Sequence, residues 1–410
     1  FWFNAVEGEV YAMSSFFTAV TFWAILKWEQ VADDPKSTRW IIFIAFLIGL
    51  SIGVHLLNLL CIPAFVYVVY FKKWKKTSFG GFVLAGVVSV VLLWFLNMFL
   101  VPQVINLAGK TELFFVNSLG APFNLGTIVY FVLIAALIIW GLWFTTRRKK
   151  VVANIAILSL MFILIGYSSF FMLAIRANTN TPINENEPKD ALSMLSYLNR
   201  EQYGSWPLLS GQYYNAPIVA GKDGKPIYIK DKEQGRYVIT DDKTHSIPEY
   251  PSEMKTLFPR MWSNQPRHVS MYESFRKNKR GMIQGEKVSV RNIDGSVQVI
   301  NKPTFGQNLK FFINYQCNWM YWRYFMWNFV GRQNDIESQG GIENGNWISG
   351  INFIDEARLG DQRNIPESMH NPGRTKYYFL PLILGLCGLF WLLRKDIKQS
   401  WIVFLLFFMT

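Results

Sequence analysis

Charged residues are scarce in this chain of 410 residues: they make up 17%, against 51% hydrophobic and 17% aromatic residues. Ordinary globular domains carry about a quarter of their residues as charged side chains. The composition therefore argues against two or three soluble domains and predicts a chain that needs lipid around it. Disorder is not expected either, because 34 Phe, 18 Tyr and 16 Trp supply ample apolar surface for a packed core.

Cysteine, histidine and several catalytic motifs are also scarce or missing. Three cysteines are too few and too scattered for a disulfide framework, and no pair has metal-ligand spacing. His245, His268 and His370 stand alone, so they form no metal motif. The sequence has no Walker loop, dinucleotide fingerprint, nucleophile elbow or zincin helix. ATP-driven transport and zinc-dependent hydrolysis therefore have no support in these residues.

Long apolar runs alternate with short basic connections. About 20 residues are needed for a helix to cross a bilayer. Runs of this order lie at Val10–Trp28, Trp40–Phe71, Phe79–Val101, Leu125–Thr145, Val151–Ile175 and Tyr377–Leu393. Basic clusters lie at Lys72–Lys76, Arg147–Lys150 and Arg394–Lys398, with a weaker one at Lys27–Arg39. The positive-inside rule makes all four cytoplasmic, so most of the formal charge of +13 is an orientation signal and predicts no nucleic-acid partner.

This charge pattern predicts a transmembrane topology. Because Trp40–Phe71 has basic clusters at both ends, it should form two short helices that turn near Gly53–Pro63. The layout is then seven crossings and a partial eighth, with transmembrane helices at 1–175 and 377–410 and an outer domain at 176–376. Pro102–Phe123 should be an outer loop. Since the chain opens on Phe1 and stops ten residues into the apolar run from Trp401, we expect an internal fragment of a longer polypeptide.

The outer segment has the patterns of a mixed α/β domain. Asp190–Asn199 is typical of a short helix, and Lys225–Thr240 could supply two strands. Val288–Ile300 alternates like a β-hairpin with its turn at Asp294-Gly295. The aromatic segment Phe311–Gly331 has two interpretations: a membrane span, or a helix near 308–331 at the outer interface, which the orientation rule favours. The sequence thus predicts a polytopic α-helical membrane protein with a mixed α/β extracytoplasmic domain.

Three groups of polar residues are candidates for chemistry, and each has a structural alternative. Glu7 and Glu9, at the outer mouth of the first helix, would stabilise the helix dipole, or would act as base, position a hydroxyl or bind a metal. Ser51, His55 and Asn58 recur at helical spacing on one face of an apolar run. They would bond one another as interhelical packing, or His55 would line a polar cavity that opens outward.

The third group is cationic: two members flank the aromatic segment, and two stand just before the apolar run that starts at Tyr377. It consists of Arg323, Arg332, Arg374 and Lys376. Such side chains would extend towards lipid headgroups, or they would clamp a lipid-linked phosphate and stabilise it as a leaving group. Arginine suits phosphate because its planar fork binds two oxygens at a time.

Four strings resemble a group of bacterial membrane proteins that is common in Bacteroidetes-type bacteria and was long labelled a domain of unknown function: Ala5–Ala12, Ile48–His55, Tyr203–Leu209 and Trp319–Phe329. That group is similar to the eukaryotic transmembrane protein O-mannosyltransferases and, more distantly, to the GT-C glycosyltransferase superfold. The resemblance covers essentially the whole chain, and the string around Arg323 is its most specific part. Gly8 is a small departure, since alanine is expected there.

The resemblance implies a GT-C-like enzyme. It would take a mannose-like sugar from a polyprenyl-phosphate carrier, its donor substrate, and attach it to Ser or Thr hydroxyls of an acceptor protein. The reaction would take place on the outer side of the bacterial inner membrane, with the large loop in the periplasm. The presumed base lies upstream of Phe1, so the resemblance carries over only Glu9, the acid of Glu9-Val10-Tyr11. Whether a divalent metal takes part is left open.

Two other functions remain open from the sequence. The chain could be a non-enzymatic component of an envelope secretion or assembly complex, with other membrane subunits as partners. It could also be a lipid-carrier transporter, which would move the carrier between leaflets.

Overall fold

The computed structural model describes residues 10–74, 76–179, 181–184, 186–199, 201, 204, 206–292, 295–367 and 370–409. The chain divides into two compact units. The first unit contains Phe1–Gly204, Tyr228–Thr240 and Lys395–Thr410, and the second contains Ser205–Ile227 and Asp241–Arg394. The boundaries predicted at 175 and 376 separate membrane segments from the outer domain and not these two compact units. They stay a prediction.

The described residues form fifteen α-helices, most of them in the first unit. In chain order they are α1 Tyr11–Gln30, α2 Thr38–Ile52, α3 Cys61–Lys73, α4 Phe79–Trp94, α5 Val101–Leu113, α6 Leu125–Arg147, α7 Val151–Tyr167, α8 Phe171–Ala177, α9 Ala191–Leu198, α10 Pro266–Arg276, α11 Phe305–Phe311, α12 Arg323–Phe329, α13 Asn352–Leu359, α14 Leu380–Lys395 and α15 Ile397–Met409. Three π-helical segments, Phe95–Leu100, Phe114–Ser118 and Phe312–Trp322, extend or join them.

The described strands are short and pair two by two. They are β1 Ser210–Gln212, β2 Ala220–Lys222, β3 Ile227–Asp231, β4 Arg236–Asp241, β5 Ile247–Glu249, β6 Lys255–Leu257, β7 Glu286–Arg291, β8 Val297–Lys302, β9 Gly331–Arg332 and β10 Thr375–Lys376. The pairs are β1 with β6, β2 with β5, β3 with β4, β7 with β8 and β9 with β10. The predicted strands in Lys225–Thr240 and the hairpin at Val288–Ile300 are confirmed; the predicted turn residue Asp294 lies outside the described residues. The helix predicted at Asp190–Asn199 is confirmed as α9, capped by Asp190.

The long apolar run at Trp40–Phe71 forms two helices, as its flanking charges predict. α2 ends at Ile52, a 3₁₀ turn follows at Leu56–Leu60, and α3 begins at Cys61. In contrast, the outer loop predicted at Pro102–Phe123 is wrong over most of its length. The helix that begins at Phe79 continues without a break to Ser118. Pro102 does not end it, because a π-helical segment precedes this proline, which lies in the first turn of α5.

Five helices in the described part of the chain are long and apolar enough to cross a membrane: Pro35–Ile52, Leu56–Lys73, Phe79–Ser118, Leu125–Arg147 and Val151–Ala177. This fits a helical membrane protein. The predicted crossings at α1 and α14 are helices, but they are not among these five. The aromatic segment is a continuous helix from Phe305 to Phe329 and is not among them either. The inside–outside topology stays a prediction.

The first unit is closely packed where α2 meets α7. Gly49 of α2 and Gly166 of α7 face the opposite helix at its backbone. A Cβ at Gly166 would lie against the Leu50 amide nitrogen and 2.6 Å from the Phe46 carbonyl oxygen. Lipid offers no hydrophobic drive for the association of membrane helices, so they depend on close van der Waals packing. Small residues allow that packing, because they let the two backbones approach.

The second unit has a much smaller apolar core. Its main buried cluster consists of Tyr213, Met261, Tyr272 and Phe311. Beside it the Arg276 side chain is 2% exposed and donates hydrogen bonds to the carbonyl oxygens of Gln284 and Asn301. Polar side chains therefore contribute to the interior of this unit along with the aromatic cluster.

Candidate functional site

The two carboxylates that the sequence singles out, Glu7 and Glu9, lie outside the described residues. Their roles stay predictions. The structure does describe Tyr11, the first residue of α1, and its ring packs against that of His55 at 6.1 Å between centroids. His55 therefore lies beside the start of the helix that follows the acidic string.

His55 stands in the turn between α2 and α3, in extended backbone conformation. Its Nδ1 accepts a hydrogen bond of 3.1 Å from the Leu57 amide and so caps the 3₁₀ turn. In the neutral imidazole this acceptor role assigns the proton to Nε2. The nitrogen that remains is thus a donor, suited to a hydroxyl or phosphate oxygen.

The polar face predicted from Ser51, His55 and Asn58 is wrong, because no single helix carries all three residues. α2 ends at Ile52, and Asn58 lies in the 3₁₀ turn that follows. The Asn58 amide instead donates to the hydroxyls of Ser51 at 2.9 Å and Thr21 of α1 at 3.1 Å. Ser51 and Asn58 thus act as interhelical packing, which was one of the two interpretations, while His55 stands apart from them.

A polar stripe runs along α1, and it was not predicted from the sequence. Ser14, Thr18 and Thr21 recur at intervals of four and three, so they share one helix face, as their spacing could have shown. The hydroxyls of Ser14 and Thr18, and the Asn58 Oδ1 atom, are buried without a partner in the described residues. Buried polar groups of this kind are commonly satisfied by ordered water.

Arg323 of α12 is held by aromatic rings and backbone carbonyls. Its guanidinium lies 5.0 Å from the ring centroids of both Trp319 and Trp327. It donates to the carbonyl oxygens of Trp319 at 3.0 Å and Gly345 at 2.6 Å. Burial lowers the pKa of the Arg323 guanidinium from its ordinary value, although an arginine stays protonated in proteins. Two rings and two carbonyl oxygens thus hold this arginine in place, and part of its hydrogen-bonding capacity is used within the fold.

Arg332 lies on β9 and shares Trp327 with Arg323. Its guanidinium is 5.3 Å from the Trp327 ring centroid, and its backbone pairs with Thr375 of β10. Within the described ranges, the Arg332 guanidinium makes no hydrogen bond and no ion pair, so all five of its N–H donors are available. A cation that is oriented by a ring but not neutralised can bind an anion through two parallel hydrogen bonds.

The other two predicted cations are placed differently. Lys376 pairs with Gly331 in the β9–β10 ladder, one position from the Arg332–Thr375 pair. Because successive strand residues point to opposite faces, Lys376 and Arg332 leave opposite faces of this ladder. Arg374 donates to Gln362 at 2.9 Å and lines a cavity of about 180 Å³, and burial lowers its pKa from the ordinary value. The structure thus brings Arg323 and Arg332 together at Trp327, and it places Lys376 on the other face.

The described residues also contain a buried carboxylate that sequence reasoning missed. Glu112 of α5 is 1% exposed and accepts hydrogen bonds from the amides of Asn124 and Thr127, at the start of α6. The hydroxyls of Thr127 and Tyr237 also donate to it. The amides at a helix N-terminus favour a negative charge. Glu112 therefore fastens α5 and the β3–β4 pair to the start of α6.

A metal site is not evident in the part of the chain that the structure describes. No group of three or more His, Cys, Asp or Glu side chains there could hold a metal ion.

Comparisons with known proteins give matches to family models over two segments of the chain. Residues 1–78 match the family model described as the protein O-mannosyl-transferase TMEM260 N-terminal domain. This segment covers α1, α2, α3 and His55. Residues 204–313 match a family of unknown function, DUF8416, and cover all the strands from β1 to β8. No curated protein and no solved structure gives a match. The first match supports the expected resemblance to this mannosyltransferase family.

Proposed function

We propose that the chain is part of a membrane glycosyltransferase. It transfers a mannose-like sugar from a polyprenyl-phosphate carrier to Ser or Thr hydroxyls of an acceptor protein. The reaction takes place on the outer side of the bacterial inner membrane, where the large loop lies in the periplasm. The observation that carries this proposal is the match of residues 1–78 to the O-mannosyl-transferase family model, and the membrane-length helices support it.

The proposed step is a direct displacement at the anomeric carbon. The acceptor hydroxyl oxygen forms the new bond to that carbon while the bond to the phosphate oxygen breaks. The hydroxyl proton passes to an acidic side chain, and the candidate within this chain is Glu9, which Glu7 precedes by two positions in the sequence. The electron pair leaves with the polyprenyl phosphate, whose charge needs fixed cations.

Arg332 is the strongest candidate for that cation, because its donors are uncommitted among the described residues. The Arg323 guanidinium packs on the shared Trp327 ring and donates hydrogen bonds to backbone carbonyls, so only part of it is available to a phosphate. Arg374 and Lys376 are secondary candidates, since one bonds Gln362 and the other points to the opposite face of the ladder. His55 would donate from Nε2 to the sugar or the phosphate.

The test compares single variants of the full-length protein, assayed with a lipid-linked mannose donor and an acceptor peptide. Arg332→Ala should lower kcat/KM by about a hundredfold, as expected when a donor to a developing charge is lost. Arg332→Lys should recover part of that loss, because it restores charge without the planar fork. Arg363→Ala is the matched control, since its guanidinium is 67% exposed and pairs with Glu356.

Two outcomes would count against the proposal. Normal turnover in Glu9→Gln, Arg323→Ala and Arg332→Ala would remove these residues from the mechanism. Absence of transfer by the wild-type protein from every lipid-linked sugar tested would rule out the transferase itself.

A further inference from the structure

A large pocket lies in the second unit, within the segment that matches the family of unknown function. It has a volume of about 590 Å³ and lies between the β1–β6 and β2–β5 strand pairs. This volume is within the range of about 300 to 1,000 Å³ that is usual for small-molecule sites. None of the cations proposed to bind phosphate lines it.

Two tryptophans form an aromatic wall of this pocket. The rings of Trp206 and Trp262 lie 6.3 Å apart between centroids, with their planes inclined at 36°. Trp206 is 66% exposed, so the pair is not simply core packing. An exposed indole has a large apolar face with negative charge density, which attracts weakly positive C–H groups.

Three polar side chains of the pocket are open to a ligand. Gln212, Tyr250 and Asn264 line it, and their side chains make no hydrogen bond to any residue that the structure describes. Amides and a phenol both donate and accept hydrogen bonds, so they suit a partner that does the same.

The charge in the pocket is largely balanced. Lys222 and Glu249, on the paired strands β2 and β5, form an ion pair with 2.6 Å between Nζ and Oε1. The carboxylate raises the pKa of Lys222 by hydrogen bonding and by attraction. Because this cation is already neutralised, Lys255 is the one cation among the described lining residues that remains to attract an anion. The pocket is therefore unlike the surroundings of Arg332.

Aromatic faces next to uncommitted amides match one class of ligand. A pyranose ring presents C–H groups on its face and hydroxyls around its edge, and each hydroxyl both donates and accepts. A purely apolar ligand would leave the amides unpaired, which costs binding energy. We propose that this pocket binds a short neutral oligosaccharide, with sugar rings on Trp206 and Trp262 and hydroxyls bonded to Gln212 and Asn264. The proposal goes beyond sugar transfer and needs no donor lipid.

The test is a binding measurement on the full chain in lipid nanodiscs, prepared without maltoside or glucoside detergents that would themselves compete. Mannotriose, maltotriose and chitotriose are titrated while tryptophan fluorescence and saturation-transfer NMR are recorded. The wild-type protein should bind at least one of them saturably. Trp262→Ala and Trp206→Ala should each weaken that binding by roughly tenfold or more, as for the loss of a central aromatic contact.

Matched variants separate binding from folding. Trp322→Ala removes an exposed tryptophan of the same unit that does not line the pocket, and it should leave the affinity unchanged. Trp262→Phe keeps an aromatic face and should restore most of the binding. Gln212→Ala with Asn264→Ala should weaken binding while leaving the circular dichroism spectrum unchanged.

Three results would contradict the proposal that this pocket binds a saccharide. No saturable binding of any of the three saccharides by the wild-type protein would overturn the proposal. So would equal affinity in the wild type, Trp206→Ala and Trp262→Ala. Binding of a Ser/Thr-rich peptide at Trp262 without any saccharide binding would assign the pocket to a protein partner instead. Since no donor is present, these results are independent of the transfer assay.

Discussion

The buried Glu112 of the first unit differs from the open polar groups of the second unit in how many hydrogen-bond partners each has. In the first, Glu112 is fully enclosed and saturated with partners. In the second, Arg332, Gln212 and Asn264 keep donors that no described residue engages. An enclosed polar group without a partner costs about 1 to 3 kcal/mol, whereas one that faces a pocket is hydrated and costs little. The first arrangement therefore stabilises a fold, and the second leaves groups available to a ligand.

This difference predicts that stability and binding can be separated. Variants of the close packing and buried polar groups in the first unit should lower the unfolding temperature without changing saccharide affinity in the second. Variants of the pocket should do the reverse. A change that moved both properties together would break the comparison.

The largest effect is expected at the glycine contact between α2 and α7. Gly166→Ala puts a Cβ against the backbone of α2, 2.6 Å from the Phe46 carbonyl oxygen, so the helices must move apart. Overpacking of this kind costs about 3 kcal/mol. The thermal unfolding temperature of the chain in nanodiscs measures the loss.

Gly80→Ala is the control for that variant. A Cβ at Gly80 of α4 would meet nothing within 4 Å, and alanine favours the helix by roughly 0.5 to 1 kcal/mol. Equal unfolding temperatures for the two variants would show that the close approach of α2 and α7 does not contribute to stability.

Glu112→Gln should have the next largest effect. The amide keeps the size of the side chain but removes the charge that faces the start of α6, and its NH₂ group cannot accept the hydrogen bonds that the second carboxylate oxygen accepts. Hydrogen bonds to a charged group are stronger than neutral ones, so we expect a loss of about 2 kcal/mol. Denaturant titration measures it, with Asp33→Asn as control, because Asp33 is an exposed ion-pair partner of Lys72 and Lys73. A larger loss in the control would contradict this account of Glu112.

Much of the helical layout follows from local sequence, because run length and flanking charge are local properties. The division of Trp40–Phe71 into two helices is an example. The missed helix beyond Val101 was also visible locally: Val101, Ile105, Ala108 and Glu112 recur at helical spacing and are all buried. Polar residues between them made the segment resemble a loop.

The candidate sites were less predictable, because they depend on partners that are distant in sequence. Tyr237 bonds to Glu112, which is 125 positions away in the sequence, and no local pattern predicts such a pair. The contact of Arg332 with Trp327 depends on how the chain leaves the helix at Phe329 and enters β9. The side chain of Lys376 points to the opposite face because of the register of β9 and β10. Strands of two residues are too short for this register to be predicted from the sequence.

The smallest effect is expected from Tyr237→Phe. The phenol of Tyr237 donates a long hydrogen bond of 3.4 Å to Glu112, so its loss should cost only about 0.5 kcal/mol at neutral pH. Burial, with the nearby charges of Asp190 and Glu112, raises the pKa of Tyr237 above its ordinary value of 10.0. The neutral phenol is thus favoured in the folded state, and its contribution to stability is present below pH 10 and is lost as the pH rises above it.

The pH dependence gives this small effect a distinctive signature. The free energy of unfolding of the wild type should fall above pH 10, and Tyr237→Phe should lack that part of the fall. The advantage of the wild type should therefore shrink or reverse at high pH. Tyr324→Phe, at a tyrosine that is 56% exposed, should follow the wild type throughout. Parallel curves for the wild type and Tyr237→Phe would mean that Tyr237 is not held in the enclosed environment that distinguishes Glu112 from the open groups of the pocket.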